Sequence, residues 1–79
     1  MHEVEMTSRI EFNSEVCNGK PVIRGTRISV ATILGYLTAG DEISDVLESH
    51  PTVTREDVLA CLDYARALSE THSRVESLT

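Results

Sequence analysis

The sequence predicts a small, mainly α-helical domain in which a short N-terminal β ribbon precedes a bundle of three helices. Residues 9–23 hold two short runs with the alternation or β-branched content of strands, separated by turn residues. From residue 30 onwards, apolar side chains instead recur at helical spacing. Gly40 and Pro51 interrupt that spacing and divide it into three helices.

The ribbon is predicted from residues 9–12 and the pair Val22–Ile23. Ile10 and Phe12 alternate with charged residues, which is typical of a half-buried strand. Asn18-Gly19, between the two runs, is a strong turn dipeptide. Because two strands alone are only marginally stable in water, we expect the ribbon to pack on the helices.

The stretch G-K-P-V-I-R-G-T-R-I-S-V at residues 19–30 joins the ribbon to the first helix. Gly19 before Lys20-Pro21 marks one turn, and Gly25-Thr26 marks a second turn in which we expect the glycine to adopt a positive φ. Ser29 stands directly before an apolar helical run, where a helix N-cap belongs.

The three helices are predicted at residues 30–38, about 43–49 and about 54–70. The third has the clearest start, since Thr54 and Asp57 are spaced as in a capping box. Its expected buried stripe is Val58, Cys61, Leu62, Ala65 and Leu68. The tight connection at residues 50–53 fits a helix-turn-helix, although ordinary bundle packing explains it equally well.

Length and composition predict one cytoplasmic domain at residues 9–70, with a flexible arm at 1–8 and a tail at 71–79. No apolar run approaches the roughly 20 residues of a membrane helix, and no secretory leader is visible. Cys17 and Cys61 are expected to be reduced thiols. A chain of 79 residues is near the size at which one core barely suffices, so we predict a homodimer.

Charge is unevenly distributed within a formal net charge of −6. Residues 9–27 carry four basic and two acidic side chains, whereas residues 28–79 carry three basic and nine acidic ones. DNA contact would therefore have to come mainly from the first third of the chain. The predicted nucleic-acid-binding residues are Lys20, Arg24, Arg27 and Arg55.

A structural role for the ribbon arginines is an equally good interpretation. Arg24 and Arg27 could instead pair with Glu11, with Glu15 or with acids on the helices. On the third helix, the acids Glu56, Asp63 and Glu70 are expected to share the solvent face and to point away from any duplex. This leaves Arg55, at the positive end of the helix dipole, as that helix's candidate for phosphate contact.

Nothing in the sequence predicts an enzyme. Gly19-Lys20 lacks the spacing of a phosphate-binding loop, and Cys17 has no histidine nearby in sequence. The three histidines are dispersed along the chain. We therefore predict no catalytic residue, no cofactor and no metal site.

The chain resembles the DUF433 family. The similarity lies in G-K-P-V-I-R-G-T-R-I-S-V and in Ile33-Leu34, Ala39-Gly40, His50-Pro51, Val53-Thr54, Asp57-Val58 and Leu62-Asp63-Tyr64-Ala65. His50 departs from the family's usual tyrosine before the proline, and Cys61 interrupts an aliphatic run. The resemblance implies a prokaryotic protein with a trihelical, homeodomain-like or winged-helix-related fold and no enzymatic activity.

Two functions follow as hypotheses. The resemblance implies an antitoxin of a toxin–antitoxin system that neutralises a PIN-like nuclease toxin and, as a dimer, contacts its own operator DNA. The basic ribbon would contact the DNA phosphates, and the acidic helices would bind the toxin. The alternative is a protein-interaction or dimerisation module that does not bind DNA.

Overall fold

The computed structural model describes the backbone of residues 9–76 and the side chains of residues 9–71. It confirms the predicted fold class: a two-stranded antiparallel ribbon is followed by three helices. The predicted arm at residues 1–8 and most of the predicted tail lie outside the described side chains. The elements are β1 (Ile10–Phe12), a 3-10 turn (Cys17–Gly19), β2 (Pro21–Ile23), α1 (Val30–Thr38), α2 (Ile43–Ser49) and α3 (Arg55–Glu76).

β2 is the central strand of the ribbon. On one side it pairs with β1, with Glu11 opposite Val22. On its other side Val22 forms an isolated antiparallel bridge to Ser29, just before α1. Val22 and Ile23 are both buried, and because successive strand side chains point to opposite faces, both faces of β2 are covered here.

The link between the strands is a tight left-handed turn. Cys17, Asn18 and Gly19 all have positive φ, at 53°, 58° and 80°. The Lys20 amide donates to the Cys17 carbonyl oxygen at 3.1 Å and closes the turn. Asparagine and glycine tolerate this region of backbone space, which explains why Asn18-Gly19 is the turn dipeptide here.

One hydrophobic core lies between the ribbon and the helices. β2 contacts α1, and α1 contacts both α2 and α3. The buried members of the core cluster are Ile10, Ile23, Val30, Ile33, Val46, Val53, Val58, Ala60 and Cys61. Most are β-branched residues, whose stiff side chains lose little rotamer freedom on burial.

The ends of α1 carry the predicted caps. The Ser29 hydroxyl accepts a hydrogen bond from the Thr32 amide at 3.1 Å. At the other end Gly40 has a φ of 103°. The Asp41 amide donates to the Tyr36 carbonyl oxygen and the Gly40 amide to that of Leu37, each at 3.1 Å. This pair of bonds is a Schellman motif, so glycine ends the helix as expected.

The other helix starts are capping boxes. In α2 the Glu42 amide donates to the Asp45 carboxylate, and the Glu42 side chain accepts from the Asp45 amide. In α3 the predicted pair is present: the Thr54 amide donates to Asp57 at 3.0 Å, and the Asp57 amide donates to the Thr54 hydroxyl at 3.2 Å. Both boxes satisfy backbone donors that would otherwise lack partners.

The predicted buried stripe of α3 is wrong in two positions. Leu62 and Leu68 are exposed, at 39% and 46% of their surface. Phe12, which lies on β1 and not on α3, is also exposed, at 61%. Ala60, which the stripe did not include, is buried. The two leucines are exposed for different reasons: Leu62 faces away from the body, since the three residues after it are half-buried, whereas Leu68 lies in a run from Arg66 to Thr71 in which every residue is exposed. The helix also continues to Glu76, beyond the predicted end near residue 70.

Candidate functional site

The basic ribbon residues lie on the two turns that flank β2. Lys20 directly precedes the strand, and Arg24 and Arg27 follow it. All three side chains are exposed, and so is that of Arg55 at the start of α3. The structure therefore leaves each predicted residue accessible to a ligand from solvent.

The second turn is held rigidly. The Thr26 amide donates to the Ile23 carbonyl oxygen at 3.0 Å, and Gly25 has a φ of 81°. This combination is that of a type II turn, which requires glycine at its third position. The Thr26 hydroxyl donates to the same Ile23 oxygen at 2.8 Å and accepts from the Ile28 amide at 3.0 Å. The backbone that carries the two arginines is thus fixed.

Arg24 has the structural role left open by the sequence. Its Nη1 lies 3.3 Å from Oε1 of Glu11 on the neighbouring strand. Both side chains are partly exposed, so this ion pair contributes little stability on its own. No ion pair involves Lys20, Arg27 or Arg55 among the side chains of residues 9–71. Their positive charge is neutralised less than that of Arg24.

An ion pair that the sequence analysis missed joins β1 to α3. Arg9 Nη1 lies 3.0 Å from Oδ1 of Asp57, which is only 7% exposed. The other carboxylate oxygen of Asp57 serves the cap at Thr54. The sequence separation of 48 positions hides this pair in the sequence. The sequence does hold a signal for this pair. An arginine directly precedes a strand that must pack on α3, and an aspartate lies in the first turn of that helix.

The Arg9–Asp57 pair brings two of the predicted residues to the same end of the ribbon. The Arg24 amide donates to the Arg9 carbonyl oxygen at 2.7 Å. Arg55 stands two residues before Asp57. Both residues therefore adjoin the pair, at the point where the ribbon meets the N-terminus of α3.

The other two predicted residues adjoin the left-handed turn. The Cys17 thiol lies 3.3 Å from the Arg27 carbonyl oxygen, and the Cys17 carbonyl accepts from the Lys20 amide. Lys20 and Arg27 therefore both adjoin Cys17 through their backbones, whereas the backbone of Arg24 adjoins Arg9.

The segment between the ribbon and α3 carries only acidic charges. Residues 28–54 contain four carboxylates and no lysine or arginine. All four are exposed; we call them the acidic face: Asp41, Glu42, Asp45 and Glu48. Two of them also cap α2, so Asp41 and Glu48 are the members without a capping role.

The acids expected on the outer face of α3 are balanced by an arginine. Arg66 Nε lies 3.1 Å from Asp63, and its Nη1 lies 2.9 Å from Glu70. The hydrogen bond and charge of Asp63, followed by the charge of Glu70, raise the pKa of Arg66 above its usual value. This part of α3 therefore presents a local charge network rather than a row of free carboxylates.

The groups that could support catalysis are separated. Within residues 9–71, no three His, Cys, Asp or Glu side chains converge as metal ligands. Cys17 and Cys61 are both free thiols. Burial, followed by the charge of Asp57, raises the pKa of Cys61 to about 11, so this thiol stays protonated at neutral pH. Across the described helices, none is both long and apolar enough to cross a bilayer.

Comparisons with known proteins agree with one another. A family model described as "Protein of unknown function (DUF433)" matches residues 10–65. The crystal structure of a DUF433 member protein from Anabaena variabilis is similar, with a TM-score of 0.74 and 33% sequence identity; the alignment covers 90% of this chain and 71% of that one. An uncharacterized protein, y4eO, from Sinorhizobium fredii is 29% identical over 58 residues, which are 73% of this chain. The matched region spans 26% of the length of that relative.

Proposed function

The chain belongs to the DUF433 family, and from this premise we propose that it is an antitoxin-like protein that binds and neutralises a PIN-like nuclease toxin. In this proposal it acts as a homodimer and also contacts its own operator DNA. The support for a nuclease partner is the family resemblance together with the distribution of charge on the surface.

The acidic face is the observation that carries the proposal. A nuclease must hold a polyanionic substrate, so its active surface is basic or contains metal ions. Four exposed carboxylates without an intervening lysine or arginine complement such a surface. The domain would then exclude RNA by occupying the same site, without any catalytic group of its own.

A nuclease assay tests this function directly. The PIN-like nuclease proposed as the partner is incubated with fluorescent RNA and with increasing amounts of the 79-residue protein. We expect inhibition near one equivalent. Asp41→Lys combined with Glu48→Lys should raise the inhibition constant about tenfold, because two attractive contacts become repulsive.

The control for that variant is Glu15→Lys with Glu70→Lys. It changes the net charge by the same amount, at exposed sites away from the acidic face. Inhibition by the control should match that of the wild type. If the wild-type protein leaves the nuclease fully active at a large excess, the antitoxin role is wrong.

Operator contact is the second part of the proposal. Its support is the accessible charge of Lys20, Arg27 and Arg55, none of which is neutralised within the described side chains. Arg55 also stands at the N-terminus of α3, where backbone amides and the helix dipole favour phosphate.

The alternative function is a protein-interaction module that does not bind DNA. Two observations favour it: Arg24 is engaged by Glu11, and the net charge of the chain is −6. Failure to shift DNA from its own promoter, with nuclease inhibition intact, would favour this alternative over operator binding.

A further inference from the structure

α3 is longer than the body it packs on. Its 22 residues extend about 33 Å at 1.5 Å per residue. The side chains buried in the core come from its first turns: Asp57, Val58, Ala60 and Cys61. From Arg66 to Thr71 every side chain is exposed. Residues 66–71 of the helix therefore receive little packing from the other described side chains.

The core-facing positions nevertheless continue into that second half. Cys61, Ala65 and Leu68 follow one another at intervals of four and three residues, which is the spacing of one helix face in a paired helix. Cys61 is buried, Ala65 is half-buried and Leu68 is 46% exposed. One apolar stripe thus begins in the core and emerges from it.

Phe12 widens this stripe. Its ring is 61% exposed and lies against the ring of Tyr64, with centroids 6.1 Å apart. Tyr64 and Leu68 are one helical turn apart and are neighbours on the surface of α3. We call Phe12, Tyr64 and Leu68 the apolar strip.

Charges are segregated away from the apolar strip. At about 100° per residue, the charged positions between 61 and 71 all lie opposite Cys61 and Leu68; they are Asp63, Arg66 and Glu70. Arg66 is joined to Asp63 and Glu70 at the outer face. Depletion of charge with retention of aromatic and aliphatic residues is the composition of a protein interface core.

We propose that the apolar strip is the surface through which two copies of this chain associate, α3 against α3. Two chains of net charge −6 repel each other over most of their surfaces. The charged side chains of α3 between residues 61 and 71 lie on the face opposite the strip, so the strip is a place where a second acidic copy meets little repulsion. A basic partner would instead be drawn to the acidic face. The assignment deepens the dimeric part of the proposed function and rests on it.

Dimerisation would also provide packing for the exposed side chains of α3 in each copy. An isolated helical segment shorter than about 12 residues is marginal in water, and the side chains of residues 66–71 are all exposed. In an isologous dimer the same strip serves both partners, so one contact stabilises both projecting helices.

Sedimentation equilibrium of the full chain tests the assignment. The wild type should sediment as a dimer of the 8.7 kDa chain at tens of micromolar. Leu68→Glu should raise the dimer dissociation constant by about 30-fold or more, because the lost apolar contact occurs twice in the two-fold interface. Ala67→Glu adds the same charge at the adjacent, outward-facing position and should leave the dimer intact.

Three results would overturn the proposal in distinguishable ways. A wild-type monomer rules out self-association, without bearing on inhibition of the nuclease. A Leu68→Glu protein that dimerises like the wild type shows that another surface, such as the open edge of β1, joins the copies. If Leu68→Glu loses its helical circular dichroism, Phe12→Ser decides instead: it alters the strip from β1, and an unchanged dimer would refute the assignment.

Discussion

A single carboxylate, that of Asp57, joins three segments of the chain. One oxygen accepts from Arg9 on the strand side of the ribbon, and the other accepts from the Thr54 amide at the helix start. Both hydrogen bonds are charge-assisted, and the carboxylate is nearly buried. Docking of the ribbon on α3 and initiation of α3 are thereby coupled at one residue.

Asp57→Asn should lower the free energy of unfolding by about 1–3 kcal/mol, because it leaves a partly buried arginine without its counter-charge. Urea denaturation measures the change. Asp63→Asn is the matched control: its pair with Arg66 is largely exposed, so we expect a loss within about 0.5 kcal/mol. Equal losses in the two variants would show that the Arg9–Asp57 pair contributes no net stability.

Gly25→Val should cost more than about 1 kcal/mol of stability through backbone strain alone. The φ of Gly25 is 81°, and a Cβ there would meet no atom within 4 Å, so crowding does not contribute. Gly25→Asn should cost less, since asparagine tolerates positive φ. Gly35→Ala, at an equally open site inside α1, should be neutral or stabilising. Thermal denaturation that ranks the three variants differently would contradict this reading of the turn.

The stability of the protein should fall as pH rises from about 9 to about 11 through the titration of Cys61. Its pKa is raised from 9.0 to about 11 in the folded chain by burial and by Asp57. The folded state therefore holds the thiol proton where the unfolded state releases it, and this contribution is complete below pH 9 and lost above 11. Denaturation midpoints across this range should decline less steeply for Cys61→Ala. Parallel declines would argue against the raised pKa.

Among the structural elements, the two turns that flank β2 fix the positions of Lys20, Arg24 and Arg27. The turn at residues 23–28 fixes the backbone of Arg24 and Arg27, and β1 places Glu11 beside Arg24. Lys20 and Arg27 have no such acid among the described side chains. The ribbon therefore has two roles: its hydrogen bonds hold the turns in place, and its turns carry exposed basic side chains.

Lys20→Ala combined with Arg27→Ala should weaken binding to DNA from the protein's own promoter across sequences, and should reduce its salt dependence by up to about two phosphate contacts. Arg24→Ala should have a smaller effect because Glu11 already engages that side chain. Mobility-shift titrations at two salt concentrations measure both. Asp63→Asn, on the outer face of α3, should leave affinity nearly unchanged. Wild-type affinity in the double variant would make the ribbon charges structural.

The whole molecule combines a small core with a projecting helix. The buried cluster draws on the ribbon and all three helices, so no element is independent of the others. The second half of α3 lies beyond this core. The stability of the domain is therefore expected to depend on what covers the apolar strip.

The melting temperature should rise with protein concentration, by about 3–6 °C for a tenfold increase, because association stabilises the folded chain by mass action. Calorimetry at two concentrations checks this. In Leu68→Glu the dependence should disappear, whereas in Ala67→Glu it should persist. A melting temperature that is independent of concentration in the wild type would indicate a monomeric folding unit.

Much of the fold could be predicted because its signals are local. The caps at Ser29 and Thr54, the glycine at position 40 and the proline at 51 each act within one helical turn, so the predicted helix starts match the structure. The candidate site was predicted less completely. Its residues were identified by charge, but the Arg9–Asp57 pair and the engagement of Arg24 depend on which strand lies beside which helix.

The sequence by itself determined the order and type of the elements, the positive φ at Gly25 and the separation of basic from acidic segments. Only the tertiary structure decided which faces are covered. Leu62 and Leu68 have the spacing of core residues, yet Leu62 faces away from the body, since the three residues after it are still half-buried, and Leu68 lies in the exposed run from Arg66 to Thr71. Periodicity shows that a helix has an apolar face, but burial depends on how far a packing partner extends along it.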